Sequence, residues 1–192
     1  VVSFGLGVSL TIEGQLQVQG TALERVIFTA VADDQRNGDV DNGGPSVGRI
    51  GDWGGVLFAP GSDGSGLSWC DLWFGGASLG AMIACDGSSP DLNDCRLRAG
   101  SAGVRCLNGA APSLVRTSID GCAGVPVVTD LASDPVFDGV IFSAEQDNRY
   151  DAVGLLGGIT TGNASIAARQ VTIGDGPAGD ISYLVLGSVT ID

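Results

Sequence analysis

The sequence contains no histidine and no lysine. Without histidine, Ser-His-Asp and Cys-His catalysis are excluded, and the commonest zinc ligand is missing. Without lysine, a lyase that abstracts a proton with a basic side chain has only arginine to use. Long apolar runs are absent too. No stretch approaches the roughly 18 continuous apolar residues of a membrane span, and no basic segment opens the chain as a secretory leader does.

The charge balance is strongly acidic, with 22 acidic residues against nine basic ones and a net charge of −13. Nucleic acid and anionic lipid are therefore excluded as expected partners, because both repel a surface of this sign. Most of the acids are aspartate, which is a turn residue and a ligand for hard cations as well as a solvating charge.

Glycine is abundant, at 32 residues, yet 44% of the chain is hydrophobic. Because the glycines lie between short Val, Ile and Leu-rich runs, they indicate turns between strands rather than a disordered linker. No segment keeps the i, i+3, i+4, i+7 apolar spacing of a helix over a useful length. The composition predicts an all-β fold.

A repeat of 22 to 25 residues is visible in the middle of the chain. Pro90, Pro112 and Pro135 each begin a similar block of two short apolar runs. Aligning the blocks predicts ladders of inward side chains, formed by Leu92, Leu114 and Phe137, by Leu97, Ile119 and Phe142, by Cys70 and Cys95, and by Cys85 and Cys106.

This repeat predicts a right-handed parallel β-helix of about eight coils, each with three short strands and three turns, stacked about 4.8 Å apart. We expect the repeat to run from residue 8 to 158, within a single domain of residues 1–192 that carries an acidic loop insertion at 32–51. A similar run at 26–30 and 140–144 predicts a separation of about five coils. A sandwich of antiparallel strands is the structural alternative.

The first part of the chain resembles bacterial right-handed parallel β-helix repeat proteins, of the pectate-lyase-like fold class. The motifs that carry the resemblance are GVSLTIEG at 7–14, VIFTA at 26–30, the Asp33-Asp34 pair and GDWGGV at 51–56. The resemblance implies a secreted or surface-exposed protein. It implies no particular activity, because this fold hosts lyases, hydrolases, adhesins and spacers.

The densest group of candidate ligands is the acidic insertion. Alternating Asp and Asn residues with glycines supply carboxylates and let the backbone curl, which is what calcium needs for six to eight oxygen ligands. The predicted calcium ligands are Asp33, Asp34, Asn37, Asp39 and Asp41. No glutamate closes an EF-hand frame, and a hydrated acidic loop without metal is the alternative interpretation.

Two other groups of residues suggest chemistry. Trp53, Trp69 and Trp73 follow one another in the chain; exposed in a row they would form a sugar-stacking platform, and buried they would fill the core, which we favour. We expect Trp73 to point outward. Three aspartates, Asp71, Asp91 and Asp94, offer the converging carboxylates of a glycosidase, although isolated outward aspartates at turns are commoner. We therefore expect no enzymatic activity.

The five cysteines allow two cross-coil bridges or two buried reduced ladders. Cys122 lies outside both ladders and is the expected odd one.

Both ends of the sequence read as strands, at 1–7 and at 181–192, and neither carries a recognisable cap. We therefore expect a leader or a preceding domain outside this sequence, and expect the ends to recruit further strands. Head-to-tail association into a filament and excision from a longer β-helix remain equal alternatives. The expected function is a rigid acidic module of a secreted or cell-surface protein; binding or degradation of a polysaccharide is the alternative.

Overall fold

A computed structural model describes residues 1–160 and 164–192. It is nearly all β, with a single turn of α-helix, α1 (Asp34–Asn37). Most strands belong to three stacked sheets, which we call A, B and C. Sheet A contains β1 (Val2–Phe4), β4 (Val26–Ala30), β7 (Cys70–Trp73), β10 (Arg96–Arg98), β13 (Ser118–Asp120), β16 (Ile141–Phe142), β19 (Gln170–Ile173) and β20 (Ala178–Asp180).

Sheet B contains β2 (Ser9–Ile12), β5 (Gly55–Phe58), β8 (Ile83–Asp86), β11 (Val104–Leu107), β14 (Val127–Thr129), β17 (Ala152–Leu155) and β21 (Ser182–Val185). Sheet C contains β3 (Gln17–Gln19), β6 (Gly66–Ser68), β9 (Asp91–Asn93), β12 (Ser113–Val115) and β15 (Val136–Asp138). A separate pair, β18 (Gly158–Thr160) and β22 (Val189–Ile191), is also parallel.

The chain visits the three sheets in turn, so that each strand from β4 to β16, apart from β15, pairs in parallel with the strands three places earlier and later. We call one strand from each of sheets C, A and B, taken in chain order, a rung. The only antiparallel pair among the described strands is β19 with β20. This arrangement is consistent with a β-solenoid, since strands joined by short turns stack rung upon rung.

The predicted ladders are confirmed. Leu92, Leu114 and Phe137 are register partners across sheet C. The ladder of Leu97, Ile119 and Phe142 is likewise in register across sheet A, and Cys85 lies opposite Cys106 in sheet B.

The predicted period holds only in the middle of the molecule. In the first step, Val18 pairs with Leu67, 49 residues later, because the acidic insertion lengthens the connection. In the last step Phe142 pairs with Ile173, 31 residues later. The expected extent of the 22 to 25 residue repeat, residues 8 to 158, is therefore too long.

The number of rungs is also slightly lower than expected. Among the described residues, sheets A and B have seven parallel strands each, where about eight coils were predicted. The similar runs in β4 and β16 lie four strands apart in sheet A, and not five, because one of the intervening connections carries the insertion.

One hydrophobic core is shared by the three sheets. Leu67 and Leu92 from sheet C, Leu72 from sheet A and Val56 and Ile83 from sheet B all belong to the same buried cluster. A strand of two to five residues contributes at most two of these buried side chains, so the core depends on stacking neighbouring rungs.

The corner between sheets C and A turns on a single residue in each of four successive rungs. That residue has a positive φ, of 53°, 54°, 47° and 63° at Trp69, Asp94, Arg116 and Gly139 respectively. The corner N–H groups donate to the next rung, as in the bond from Arg116 to the Asp138 carbonyl (2.7 Å). Three of the four corners therefore carry a side chain in a conformation that usually favours glycine, and these side chains point toward the outer face of sheet A.

Candidate functional site

The acidic insertion connects β4 to β5 and is anchored by Asp33. The Asp33 carboxylate is fully buried and accepts a hydrogen bond from the Thr29 hydroxyl (2.5 Å). It also forms an ion pair with Arg36 (2.8 Å), whose guanidinium lies 3.4 Å from the centre of the Trp73 ring. One predicted calcium ligand is thus already neutralised by an arginine.

The next two predicted ligands, Asp34 and Asn37, each use only part of their hydrogen-bonding capacity. Asp34 accepts a hydrogen bond from the Ser46 N–H (2.6 Å), and the Asn37 amide donates to the Ala30 carbonyl (2.9 Å). Within the described residues, the second carboxylate oxygen of Asp34 (Oδ1) and the amide oxygen of Asn37 (Oδ1) are buried without a hydrogen-bond partner. A buried oxygen without a partner is unusual, because it loses its hydrogen bonds to water and gains none within the protein.

The last two predicted ligands, Asp39 and Asp41, hold the tip of the loop. Asp39 accepts from the backbone N–H groups of Gly43 (3.0 Å) and Gly44 (3.1 Å), and Asp41 accepts from Gly43 (2.9 Å). Both aspartates are exposed. Among the described residues, no group of three or more His, Cys, Asp or Glu side chains is arranged to hold a metal ion.

A second candidate site, which the sequence analysis did not identify, lies on the outer face of sheet A. It is an open groove of about 260 Å³, which we call the arginine groove. It contains four of the nine arginines, although the chain is strongly acidic. Its lining includes Arg25, Trp69, Asp94, Arg96, Arg98, Arg116, Ser118 and Glu145.

One side of the groove is built from two ion pairs at the C to A corner. Arg25 binds Asp71 (2.6 Å), donates to the Asp94 carbonyl (2.5 Å) and lies over the Trp69 ring at 5.3 Å. Arg116 binds the Asp94 carboxylate through two nitrogens (2.8 and 2.6 Å). The hydrogen bonds from Arg116 lower the pKa of Asp94 below its ordinary value, since they stabilise the carboxylate form.

The other side is formed by Arg98, which binds Glu145 at the rim. Its Nε atom lies 3.9 Å from the carboxylate of Asp120, and neither that nitrogen nor Asp120 Oδ2 has a hydrogen-bond partner. Burial raises the pKa of Asp120 above its ordinary value, against the hydrogen bonds that it accepts from the Glu145 and Ala144 N–H groups.

Arg96 is the exposed cation of the groove. It lies between Asp71 and Ser118 in the outward row of sheet A, and within the described part of the chain no carboxylate lies in ion-pair distance of it. The paired arginines are held in place by carboxylates, so Arg96 is the side chain best placed to donate hydrogen bonds to a ligand.

Of the three aspartates considered for glycosidase chemistry, Asp71 and Asp94 lie at the same corner and Asp91 lies apart from them. Asp71 and Asp94 are each bound by an arginine, and Asp91 lies exposed in β9 of sheet C. Two carboxylates that act as acid and base need different protonation states and a free face toward the sugar, which arginine pairing removes.

The three tryptophans form no exposed row. Trp53 is fully buried, stacks on Phe4 with 4.3 Å between ring centres, and donates from Nε1 to the Trp73 carbonyl (2.6 Å). Trp73 points outward, as predicted, but lies beneath Arg36 and Arg98. Trp69 alone borders the arginine groove.

The signal that would have revealed the groove was present in the repeat. Trp69, Asp94 and Arg116 occupy the same corner in three consecutive rungs, so their side chains had to be neighbours. The apolar repeat marks the inward residues of the strands and not the corner residues between them.

Comparisons with protein-family models, with curated proteins and with solved structures found no match to this chain. No helix in the described residues is long and apolar enough to cross a membrane.

Proposed function

We propose that this chain is a right-handed parallel β-helix that serves as a rigid, acidic structural module of a secreted or cell-surface protein and stacks end to end. Right-handed winding is expected because crossover connections between parallel strands are right-handed in nearly all known cases. The resemblance of residues 7–56 to bacterial β-helix repeat proteins supports the surface location. The observation that carries the proposal is the exposure of inward-facing apolar side chains at both ends.

At the first rung, the inward ladders begin with exposed residues. Val2, which is in register with the buried Phe28, is 40% exposed. The strands β1, β2 and β3 each have a partner on one side only. Unpaired parallel edges flanked by apolar side chains recruit a further strand.

At the last rung, the ladders also end exposed. Ile173 and Val185 are in register with the buried Phe142 and Leu155, yet they are 47% and 59% exposed. Sheet A is already covered there, because β20 folds back on β19. The free edge of β21 in sheet B is therefore the place where the first rung of another copy, led by β2, would add.

A charged side chain at the free edge of β21 tests the end-to-end stacking. Val185→Lys places a charge against the contact, whereas Val47→Lys, the matched control, changes an equally exposed valine (59%) in the acidic insertion, outside every sheet. We expect light scattering and electron microscopy to show concentration-dependent linear association of the parent and the control, and monomers of Val185→Lys. A parent that stays monodisperse at high concentration would contradict the proposal.

The arginine groove supports a second candidate function, recognition of a polysaccharide, without turnover. Arg96 and Trp69 offer a hydrogen-bond donor and a stacking face side by side. Affinity electrophoresis in gels of neutral and acidic polysaccharides tests this: Arg96→Ala is expected to weaken binding about tenfold, as the loss of a charge-assisted hydrogen bond does. Arg149→Ala, an exposed arginine outside the groove, is the control, and equal affinities of the two variants would reject the groove.

We also propose that the acidic insertion binds calcium, with Asp34 and Asn37 at the centre of the site. Their unpartnered oxygens are the ligands left over, whereas Asp33, Asp39 and Asp41 bind within the protein. Calorimetry should show weak binding, with a dissociation constant of about 10⁻⁴ to 10⁻³ M. Asp34→Ala should abolish the heat and Asp63→Ala, an exposed aspartate elsewhere, should not; a parent without heat would remove calcium from the proposal.

A further inference from the structure

Four of the five cysteines lie in two pairs. Cys85 and Cys106 are register partners in β8 and β11. Cys70 and Cys95 immediately precede the partners Asp71 and Arg96 in sheet A, which places them opposite each other in the same way. All four are buried in the core.

Both pairs join the same two rungs. The rung of β6, β7 and β8 contributes Cys70 and Cys85, and the rung of β9, β10 and β11 contributes Cys95 and Cys106. One pair lies in sheet A and the other in sheet B. Cross-links at both places would therefore fix one rung to the next along two of the three sheets.

The spacing of the pairs suits a disulfide. Neighbouring strands lie about 4.8 Å apart, within the roughly 4.4–6.8 Å between Cα atoms that disulfides span. The Cys95 thiol donates to the Leu67 carbonyl (3.3 Å), which belongs to the rung of Cys70, so the Cys95 sulfur atom lies on the side of that rung. Cys122, by contrast, is held by the side chain of Asn148, which accepts from its N–H (2.9 Å), and the equivalent positions of the neighbouring rungs hold no cysteine.

We propose that Cys70 with Cys95 and Cys85 with Cys106 are two oxidative modification sites at which a disulfide oxidant cross-links adjacent rungs. In each reaction the two protein thiols lose two protons and two electrons and form one S–S bond. A small-molecule disulfide such as oxidised glutathione accepts them, its own S–S bond breaks, and two small-molecule thiols are released.

The reaction belongs to the folding chain rather than to the finished rod. Attack on a disulfide requires a thiolate and access to it, and all four thiols are shielded from solvent. Burial also raises the pKa of Cys85 and Cys106, which disfavours their thiolates once the rungs have closed. An oxidising compartment during folding therefore determines whether the cross-links form.

The test compares the same chain produced in a reducing compartment, the bacterial cytoplasm, and in an oxidising one, the periplasm. Alkylation under denaturing conditions followed by mass spectrometry counts and maps the thiols. The cytoplasmic protein should carry five alkylated cysteines, and the periplasmic protein one, at Cys122. The thermal midpoint of the periplasmic protein should be roughly 10 °C higher, and unfolding and refolding it in reductant, which exposes the bridges, should remove the difference.

Variants separate the two sites. Cys70→Ser should leave the Cys85–Cys106 bridge and free Cys95, whereas Cys122→Ser, the matched control, should leave both bridges. Five alkylated thiols in the periplasmic protein, or bridges that include Cys122, would overturn the proposal. Neither readout depends on end-to-end stacking or on groove binding.

Discussion

Leu114 lies in the centre of an inward ladder, with Leu92 and Phe137 on either side. Its side chain is fully buried, and a rung has no second layer that can move in to fill a void. Leu114→Ala should therefore lower the free energy of unfolding by about 3–5 kcal/mol, measured by chemical denaturation. Val136→Ala, on the exposed side of the neighbouring strand, should change it by less than about 0.5 kcal/mol, and equal losses would contradict the inward assignment.

Two aspartates near the arginine groove should respond to pH in opposite directions. The folded-state pKa of Asp120 is raised above 3.8, so the stability it contributes is complete below that value and is lost as pH rises through the folded-state pKa. The pKa of Asp94 is lowered from 3.8, so its contribution is present above 3.8 and is lost as pH falls through the folded-state pKa.

Denaturation curves between about pH 2 and pH 7 check both signs. The parent should lose stability as the pH rises above 3.8 because of Asp120, and Asp120→Asn should not show this loss. The parent should lose stability as the pH falls below 3.8 because of Asp94, and Asp94→Asn should not show this loss. Difference curves with the same sign for the two variants would show that the pKa of at least one of the two carboxyl groups is shifted in the other direction.

At the scale of elements, the corners are the parts that depend most on backbone conformation. Between sheets A and B the turning residue also has a positive φ, 53° at Ala99 and 63° at Gly121 in the next rung. Alanine is strained in this conformation by roughly 1–2 kcal/mol relative to glycine. The two positions form a natural matched pair.

Ala99→Gly should therefore stabilise the protein by about 1 kcal/mol, and Gly121→Ala should destabilise it by about the same amount or more. The larger effect is expected at Gly121 because an added Cβ would lie 2.7 Å from the Gln146 side chain. Thermal denaturation of the two variants is the measurement. Opposite shifts would support the shared corner, and shifts in the same direction would contradict it.

For the whole molecule, charge opposes association. A net charge of −13 makes two copies repel each other, while the proposed contact between rung ends would be apolar and formed by backbone hydrogen bonds. Salt screens exposed charges over about 10 Å at 0.1 M. Raising the salt concentration should therefore increase the mean mass measured by light scattering, and Val185→Lys should remain monomeric; association that weakens with salt would point to ion pairs instead.

The sequence by itself determined the inward ladders of the middle rungs and the outward position of Trp73. The reason is local: apolar residues alternate in each short strand, and prolines and glycines mark the turns at a nearly constant interval, so aligning the repeats places Leu92, Leu114 and Phe137 together. The length of the first and last rungs was not determined, because insertions of any composition are accommodated at a turn without disturbing the ladders.

Only the tertiary structure decided which polar side chains meet. The sequence predicts Asp33 as a calcium ligand, and only the structure shows that it pairs with Arg36. Arg25 reaches Asp71 across 46 residues, which include the acidic insertion. Inward positions are fixed by the alternation of apolar residues within each strand. An ion pair on the outer face depends on which side chains the stacking of rungs brings side by side, and the local sequence does not identify that partner.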